Sequence, residues 1–343
     1  MRNLFIMHTQ YNILSAVAIV QQEYPNDENH LLVSAEFDIT EGYTQLLMRE
    51  FKVVRIIQEH FDRTGVWKRA AVFRRKYKKT KDFLTEKYDR VITAQEQYFD
   101  TLIVTKLRKN NPNLIWQSVE EDAYYTISPV HQINQSILRN AAKSFYYKLF
   151  LPMVYGKNPC YEKIPCYGSN SGIQTVFLTF PHVARKELAG KVKKEISPKN
   201  LMEATQKLYV GKQNDCTVQN RSVVFLSDLI SRYPSAEEIY RQISELFRIH
   251  RESGYHLYVK YHPRETTPWD FPEDVQIIPS SYPSELLLAQ NQRKDIICIG
   301  NASTSIILSV KFGFETFSLI RKCLKNPNKD IVDFYKRIGI KFI

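Results

Sequence analysis

Short apolar runs alternate with helix-like windows along the first half of the chain. Leu4–His8, Leu31–Val33 and Val53–Ile57 are short, mainly apolar runs, which predict strands. Between the first two runs, apolar residues recur at helical spacing from Ile13 to Val20. Alternating strands and helices joined by short connections favour a parallel sheet with helices on both faces.

The same alternation continues to the middle of the chain. It predicts strands at Arg90–Thr93, Leu114–Val119 and Val176–Thr179, and helices at Phe99–Leu107 and Ile133–Pro152. A polar, lysine-rich stretch with weak periodicity then follows, at residues 186–219, and is typical of a linker.

The alternation restarts after this stretch. Predicted strands are Val223–Leu226, His256–Tyr261, Val275–Ile278, Ile296–Ile299 and Thr316–Leu319, with helices between them. We therefore predict an α/β protein of two Rossmann-like doubly wound domains facing a cleft, the GT-B type of architecture. The expected boundaries are 1–190 for an acceptor-side domain, 191–220 for a linker and 221–343 for a nucleotide-binding domain.

The length of 343 residues suits two domains, each able to bury its own core. Five cysteines without a CxxC pair predict neither a zinc site nor a disulfide framework, so we expect a reducing compartment. The amino-terminal apolar run is too short for a secretory signal, and no stretch approaches the length of a membrane span. We expect a cytoplasmic protein, peripheral on the inner face of the cell membrane.

The net charge of +12, from 48 Lys plus Arg against 36 Asp plus Glu, predicts an anionic partner. Two segments combine basic with aromatic or apolar residues: Trp67–Asp82 and Asn140–Lys157, the latter with Phe145, Leu149 and Met153 at helical spacing. Such segments are typical of contact with an anionic leaflet. For Asn140–Lys157, a core-facing helix with solvated lysines explains the pattern equally well.

Polar residues follow four predicted strands of the second half, where ligands bind in open parallel sheets. These groups are Ser227 and Asp228; His262 to Glu265; Ser280 to Glu285; and Gly300 to Ser305. The last group opens a helix, whose amino-terminal N–H groups favour a phosphate. Taken singly, a serine-rich helix start is usually a plain N-cap and a His-Pro pair an ordinary turn, so the prediction depends on their coincidence.

Three of these motifs resemble those of known enzymes. YHPRE (Tyr261–Glu265), PSEL (Pro283–Leu286) and GNASTS (Gly300–Ser305) resemble the HP and serine/threonine motifs of bacterial sialyltransferases. The similarity is to glycosyltransferase family 52, the lipooligosaccharide sialyltransferases, and to the related family 38 polysialyltransferases. In the first half, NLFIMHTQYNIL resembles their first strand, and Glu120 and Glu121 match their acidic pair. Asp122 stands where those families carry glycine.

The resemblance implies an inverting, metal-independent transfer from CMP-sialic acid to a glycan hydroxyl, with no further cofactor. Glu121 is the first candidate for the base and Asp228 the second, while Glu120 and Asp122 belong to the acidic loop. His262 is expected to act as general acid or phosphate ligand. The predicted donor-binding residues are Gln10, Ser227, Pro263, Arg264, Glu285, Asn301, Ser303 and Thr304. No DxD motif or His/Cys spacing suggests a metal.

Other functions stay open at this point. The donor is equally compatible with another CMP-activated acid sugar such as Kdo. A basic protein that binds nucleic acid or membrane without catalysis would also explain the charge, although no nucleic-acid-binding module is recognisable and we expect no such partner. The expected acceptor is a lipid-linked glycan of lipooligosaccharide or capsule. A homodimer is suggested only by the resemblance to family 52.

Overall fold

The computed structural model of the protein describes residues 1–35, 37–58, 66–121, 145–212, 216–232, 235–323 and 327–343. The chain divides into two compact units, Met1–Asn200 and Leu201–Ile343. Each unit contains one parallel sheet with helices packed on it. Asp122, most of the predicted helix at 133–152 and the first five residues of the segment Asn140–Lys157 lie outside the described residues.

The first unit is built on a seven-stranded sheet. Its strands are β1 (Arg2–Met7), β2 (Glu28–Ala35), β3 (Val53–Gln58), β4 (Arg90–Thr93), β5 (Ile115–Val119), β6 (Ile173–Leu178) and β7 (Val192–Glu195). Its helices are α1 (Gln10–Glu23), α2 (Glu41–Leu47), α3 (Val66–Lys79), α4 (Lys81–Thr85), α5 (Tyr98–Asn110) and α6 (Leu151–Tyr155). A π-helical turn (Tyr146–Phe150) leads into α6, and short 3-10 turns occupy Pro181–Val183 and Lys186–Leu188.

The strand order of the first sheet is β3-β2-β1-β4-β5-β6-β7, and every neighbouring pair is parallel. Strands β1 and β2 are almost entirely buried, since helices cover both faces. One face packs on a core that includes Leu102, Trp116 and Leu151. The order reverses between β1 and β4, and ligands bind at such a point, beyond the carboxyl ends of the strands.

The second unit repeats this plan with six strands. They are β8 (Ser222–Leu226), β9 (His256–Lys260), β10 (Val275–Ile278), β11 (Ile296–Gly300), β12 (Glu315–Ser318) and β13 (Lys341–Phe342). The helices are α7 (Pro198–Leu208), which begins at the unit boundary, α8 (Ala236–Glu252), α9 (Ser284–Gln290), α10 (Thr304–Lys311), α11 (Ile320–Cys323) and α12 (Lys329–Ile338), with 3-10 turns at Val210–Lys212 and Ile230–Arg232. The order is β10-β9-β8-β11-β12-β13, again all parallel, and it reverses between β8 and β11.

The predicted fold class, two Rossmann-like domains, is confirmed. The stretch expected to be a linker of helix and loop, 191–220, does contain a helix, α7, at its weakly periodic part, but it also contributes strand β7 to the first sheet. β7 escaped prediction because it is an edge strand whose side chains are exposed or half-buried, and its sequence VKKE has no apolar run. The basic run Trp67–Asp82 forms α3 and the start of α4.

Candidate active site

The carboxyl ends of the strands of the second sheet form one edge, since all pairs are parallel. Nine of the residues predicted from the sequence lie along this edge: Ser227 and Asp228 after β8, His262, Pro263 and Arg264 after β9, Glu285 in the first turn of α9, and Asn301, Ser303 and Thr304 after β11.

Two hydrogen bonds connect the segments of this edge. Asp228 Oδ2 accepts a hydrogen bond of 3.1 Å from the backbone N–H of Ala302, which links the ends of β8 and β11 where the strand order reverses. Ser305 Oγ lies 3.0 Å from Ser284 Oγ, which links the first turns of α10 and α9. The polar groups that follow β8, β10 and β11 therefore belong to one connected surface.

The start of α10 has the features of an anion site. Ser303 is the N-cap residue, yet its side chain makes no capping hydrogen bond to the helix. Among the described residues, Ser303 Oγ and Asn301 Oδ1 are buried atoms without a hydrogen-bond partner. A serine that serves only as an N-cap bonds an N–H group of its own first turn. The missing cap bond therefore argues against a plain N-cap.

Gly300 allows the turn before α10 to lie close to the end of β8 and to Ile306. A Cβ added there would lie 2.3 Å from Ile306 Cγ2 and 3.0 Å from the carbonyl oxygen of Leu226. Any larger residue would push the turn away from β8, so the glycine fixes where the N–H groups of the helix start are held. The sequence GNASTS thus needs its glycine for packing at this turn.

The His262-Pro263 segment forms a tight, internally bonded turn. His262 Nδ1 accepts a hydrogen bond of 3.1 Å from the backbone N–H of Arg264, so in the neutral ring the hydrogen sits on Nε2. Glu265 donates its backbone N–H to the His262 carbonyl at 2.9 Å. Glu265 Oε2 also accepts from the Ile230 backbone N–H at 2.7 Å, which ties this turn to the chain after β8. His262 is therefore a positioned hydrogen-bond donor.

A buried lysine lies under this edge. Lys260 ends β9, and its Nζ donates to the carbonyl oxygens of Tyr261 at 2.7 Å and Ser280 at 3.0 Å. Burial lowers the pKa of Lys260 to about 8, and burial raises the pKa of Glu285, while the attraction between the two groups opposes both shifts. Lys260 is not among the residues predicted from the sequence, although a lysine at the end of an apolar strand indicates a buried charge.

The edge of the first sheet carries carboxylates whose hydrogen-bond partners differ. Glu120 is buried, and its Oε1 accepts from the hydroxyl of Tyr11 at 2.6 Å and from that of Thr179. Burial, followed by the charge of Glu120, raises the pKa of Tyr11 well above its usual value. Glu120 therefore joins α1, β5 and the end of β6.

Glu121 is half-buried and accepts from the side-chain amide of Gln95, which follows β4. Asn12 fixes the backbone before it, because its Nδ2 donates to the carbonyl oxygens of Glu120 at 3.2 Å and Glu121 at 2.5 Å. The structure thus brings Glu121 to the strand-order reversal between β1 and β4. Gln10, the first residue of α1, is exposed at the same end of β1.

A histidine-aspartate pair at this edge was not predicted. His8 follows β1, and its Nε2 lies 2.8 Å from Oδ1 of Asp100, which is completely buried in the first turn of α5. Burial acts to lower the pKa of His8, but the charge and hydrogen bond of Asp100 raise it above its usual value. The two residues are 92 positions apart, so only the strand order brings them together.

In the parts of the chain that the structure describes, no cluster of three or more His, Cys, Asp or Glu side chains is arranged to hold a metal ion. None of the helices with described residues has the length and apolar character required to cross a membrane.

Comparison with known proteins identifies one family. The model of the alpha-2,8-polysialyltransferase family matches residues 3–319. No curated protein matches the chain closely enough to count as a relative.

Among solved structures, the chain is similar to UDP-GlcNAc 2-epimerases. With the enzyme of Methanocaldococcus jannaschii the TM-score is 0.54 at 13% identity, covering 100% of this chain and 89% of the other. With that of Neisseria meningitidis the TM-score is 0.51 at 10% identity, covering 98% and 91%. At these identities the likeness shows the two-unit fold alone.

Proposed function

This chain belongs to the alpha-2,8-polysialyltransferase family, and we propose on that premise that it moves sialic acid from CMP-sialic acid to a hydroxyl of a cell-surface glycan. Membership of the family supports a sialyltransferase-type glycosyl transfer. The CMP donor, the inverting course and the acceptor, a capsule or lipooligosaccharide glycan, are parts of the proposal. The family match favours the polysialyltransferases over family 52.

The start of α10 is the observation that carries the donor assignment. The buried Ser303 hydroxyl makes no capping bond, and it lies at the positive end of a helix. A phosphate placed there would accept from this hydroxyl and from the N–H groups of the first turn. The role we assign to Ser303 and Thr304 is to hold the phosphate of CMP.

His262 is assigned to the leaving group. In the proposed step the bond between the anomeric carbon and the phosphate oxygen breaks, and the electron pair stays on the phosphate. His262 Nε2, which carries the hydrogen when Nδ1 accepts from Arg264, donates to this developing charge. Glu285 is assigned to the ribose hydroxyls, since one carboxylate can accept from both.

The acceptor hydroxyl loses its proton as its oxygen attacks the anomeric carbon. The sequence offered two carboxylates for this proton, Glu121 and Asp228. Asp228 Oδ2 already accepts from the Ala302 N–H and so holds the turn before α10. This bond favours a structural role for Asp228. We therefore assign the role of base to Glu121, at the edge of the first sheet.

The test is thermal melting with CMP, UMP and AMP, together with release of CMP from CMP-sialic acid. A nucleotide at 100 times its dissociation constant adds about 2.7 kcal/mol of stability. We expect CMP alone to raise the melting temperature of the wild type, and His262→Ala to lose most of the turnover. Ser253→Ala, an exposed serine between α8 and β9 and so at the opposite edge of the sheet, is the control and should behave as wild type.

Either of two results would overturn this assignment. If no nucleotide shifts the melting temperature, the donor site is wrong. If CMP-Kdo turns over faster than CMP-sialic acid, the donor is a different acid sugar and only the CMP part of the proposal stands.

A membrane surface is the second part of the proposal. Phe145, Leu149 and Met153 are 59%, 50% and 78% exposed although they are large and apolar, and their spacing of four places them on one helical face. The ring of Tyr155, in α6, lies 4.9 Å from that of Phe73 in α3. The segment that carries the apolar face therefore packs beside the basic helix.

The charge of α3 suits an anionic leaflet. Its exposed side chains on the second half of the helix are Arg74, Arg75, Lys78 and Lys79. Basic residues near an anionic surface add about 1 kcal/mol each to binding. We assign this two-helix surface to the inner leaflet, where a lipid-linked acceptor would be presented.

Sedimentation with vesicles of phosphatidylglycerol and phosphatidylcholine tests this surface. Binding should fall at high salt, and Leu149→Glu should weaken it at least tenfold. Val192→Glu changes an equally exposed residue on β7 and should leave it unchanged. If the protein does not bind vesicles, the membrane assignment is wrong. If Leu149→Glu instead dissociates a dimer seen by light scattering, the surface contacts a second copy of the chain and the membrane assignment is also wrong.

A further inference from the structure

Two neutral amide side chains of the first unit hold Glu121. Gln95, which follows β4, donates its side-chain N–H to Oε1 of Glu121. Asn12, in the first turn of α1, donates to the carbonyl oxygens of Glu120 and Glu121 at 3.2 Å and 2.5 Å. One amide therefore bonds the carboxylate, and the other bonds the backbone that carries it.

The position of Gln95 is itself fixed by its neighbours in the chain. Before it, the backbone N–H of Ala94 donates to the carbonyl oxygen of Ile6 at 3.2 Å, which extends the pairing of β4 with β1. After it, Glu96 is buried, and its carboxylate accepts from two backbone N–H groups within residues 168–170. Gln95 is also buried, so its amide is a donor set between two anchored residues.

This neutral donor lies among charged side chains. Glu121 and Lys76 on α3 both act electrostatically on His8, whose Nε2 lies 2.8 Å from Oδ1 of Asp100 on α5. Glu120, the residue before Glu121, accepts from two hydroxyl groups. A charged donor would stabilise the ionised carboxylate more strongly and make it a weaker base, whereas an amide holds it without adding a charge.

We propose that Gln95 is a positioning residue for Glu121, which it orients and holds as an ionised proton acceptor. The inference rests on the proposed function, in which Glu121 is the base, and both residues belong to the first unit. Without this bond, a glutamate side chain has several rotamers to lose when it is ordered. The bond to Oε1 fixes the orientation before the acceptor binds, and a small misplacement of a reacting group slows a reaction strongly. Gln95 neither gains nor loses a proton in the step.

Steady-state kinetics of Gln95→Glu and Gln95→Leu test the proposal. The first variant keeps the shape of the side chain but replaces the amide donor by a carboxylate, and the second removes the polar group. Both should lower kcat about 10- to 100-fold and leave KM for CMP-sialic acid within about twofold. The rise of kcat with pH should move to higher pH, most in Gln95→Glu, because a second carboxylate disfavours the ionised form of Glu121.

Gln117→Leu is the matched control. Gln117 is a buried glutamine of β5 in the same sheet, and its Oε1 accepts from the hydroxyl of Tyr24 at 2.7 Å. Loss of this bond should lower the melting temperature, as in Gln95→Leu, while kcat and its pH dependence stay as in the wild type. If the control loses as much kcat as Gln95→Leu, the effect at Gln95 is structural and the proposal is wrong.

Two further measurements show whether Gln95 acts through Glu121. In the background of Glu121→Gln, Gln95→Leu should cause no further loss of kcat, because residues that act as a unit are not additive. In 13C-labelled protein, the carboxyl resonance that is absent from Glu121→Gln should titrate at higher pH in Gln95→Leu than in the wild type. A further loss in the double variant, or an unshifted titration, would contradict the proposal.

The outcomes separate this inference from the proposed function. If the wild type releases CMP and both Gln95 variants keep its kcat, Gln95 is not a positioning residue although the proposed function stands. If the variants raise KM for the acceptor and leave kcat unchanged, Gln95 binds the acceptor and the inference is wrong. If Glu121→Gln is as active as the wild type, the inference fails with the assignment of the base, while transfer from the CMP-sugar stands. If the wild type turns over no CMP-sugar, both fail together.

Discussion

The two sheets have the same strand order, yet the edges beyond their carboxyl ends differ in chemistry. At the first edge, carboxylates accept hydrogen bonds from neighbouring side chains, as Glu120 does from Tyr11 and Asp100 does from His8. At the second edge, the Ser303 hydroxyl, at a helix start, makes no capping bond. The first edge thus holds buried carboxylates and an imidazole bonded to each other or to neighbouring side chains, whereas the second adds to its own carboxylates, Asp228 and Glu265, a buried hydroxyl at a helix start.

This difference shows what the fold determines and what it does not. The reversal of strand order places a ligand-binding position in each unit. The chemistry available there depends on the side chains that follow the strands, since one fold supports many functions. In the reaction that we propose, proton removal is assigned to the first edge and phosphate binding to the second.

The largest expected effect is the change of stability with pH caused by Glu96, a buried carboxylate of the first unit. Burial raises the pKa of Glu96 to about 8, although the N–H groups of Gly168 and Asn170 bond its carboxylate. Between about pH 4.5 and 8 the folded chain keeps a proton there that the unfolded chain has lost. Stability should therefore fall by about 1.4 kcal/mol per pH unit, roughly 5 kcal/mol in all.

Urea unfolding of Glu96→Gln measures this effect. The variant should lose the fall between pH 5 and 8, while Glu41→Gln, on the exposed helix α2, should keep it. An unchanged slope in Glu96→Gln would mean that the carboxylate is ionised in the folded protein.

The second unit should respond to pH in the opposite direction. The pKa of Lys260 is lowered by burial to about 8, below its usual value near 10.5. From pH 8 to 10 the unfolded chain holds a proton that the folded chain has released, so stability should rise by about 1.4 kcal/mol per unit. Lys260→Met should abolish the rise, and Lys341→Met, an exposed lysine, should retain it. A rise that persists in Lys260→Met would contradict the assignment.

The polar groups of the second edge are visible in the sequence and the contacts of the first edge are not, for a physical reason. The groups of the second edge are short contiguous motifs after apolar strands, so YHPRE and GNASTS are visible along the chain. The groups of the first edge come from distant elements: Glu120 meets Tyr11, and His8 meets Asp100, only when the sheet forms. The strand order that joins them is a tertiary property, and strand β7 was hidden because its side chains face solvent.

A smaller effect tests whether the first edge is a packed polar network. Tyr11→Phe removes the hydroxyl that donates to Glu120 at 2.6 Å, and leaves a buried carboxylate with one donor fewer. We expect a loss of about 1–3 kcal/mol in the free energy of unfolding. Tyr255→Phe, at a half-buried tyrosine just before β9, is the comparison and should change it by less than about 0.5 kcal/mol. Equal losses in the two variants would show that the hydroxyl bonded to Glu120 stabilises the protein no more than the hydroxyl of the comparison residue.

The smallest effect on stability is expected at the second edge, and it separates the two edges most directly. Ser303 Oγ is buried without a partner, so Ser303→Ala removes no hydrogen bond and should change the free energy of unfolding by less than about 0.5 kcal/mol. Its binding of CMP, measured by titration calorimetry, should weaken about tenfold, because a hydrogen bond to a charged phosphate contributes about 1.5 kcal/mol or more. Ser253→Ala, the exposed serine at the opposite edge of the sheet, should leave CMP binding unchanged. If Ser303→Ala destabilises the protein as Tyr11→Phe does while CMP binds unchanged, the start of α10 is an ordinary capped turn, and the contrast between the edges disappears.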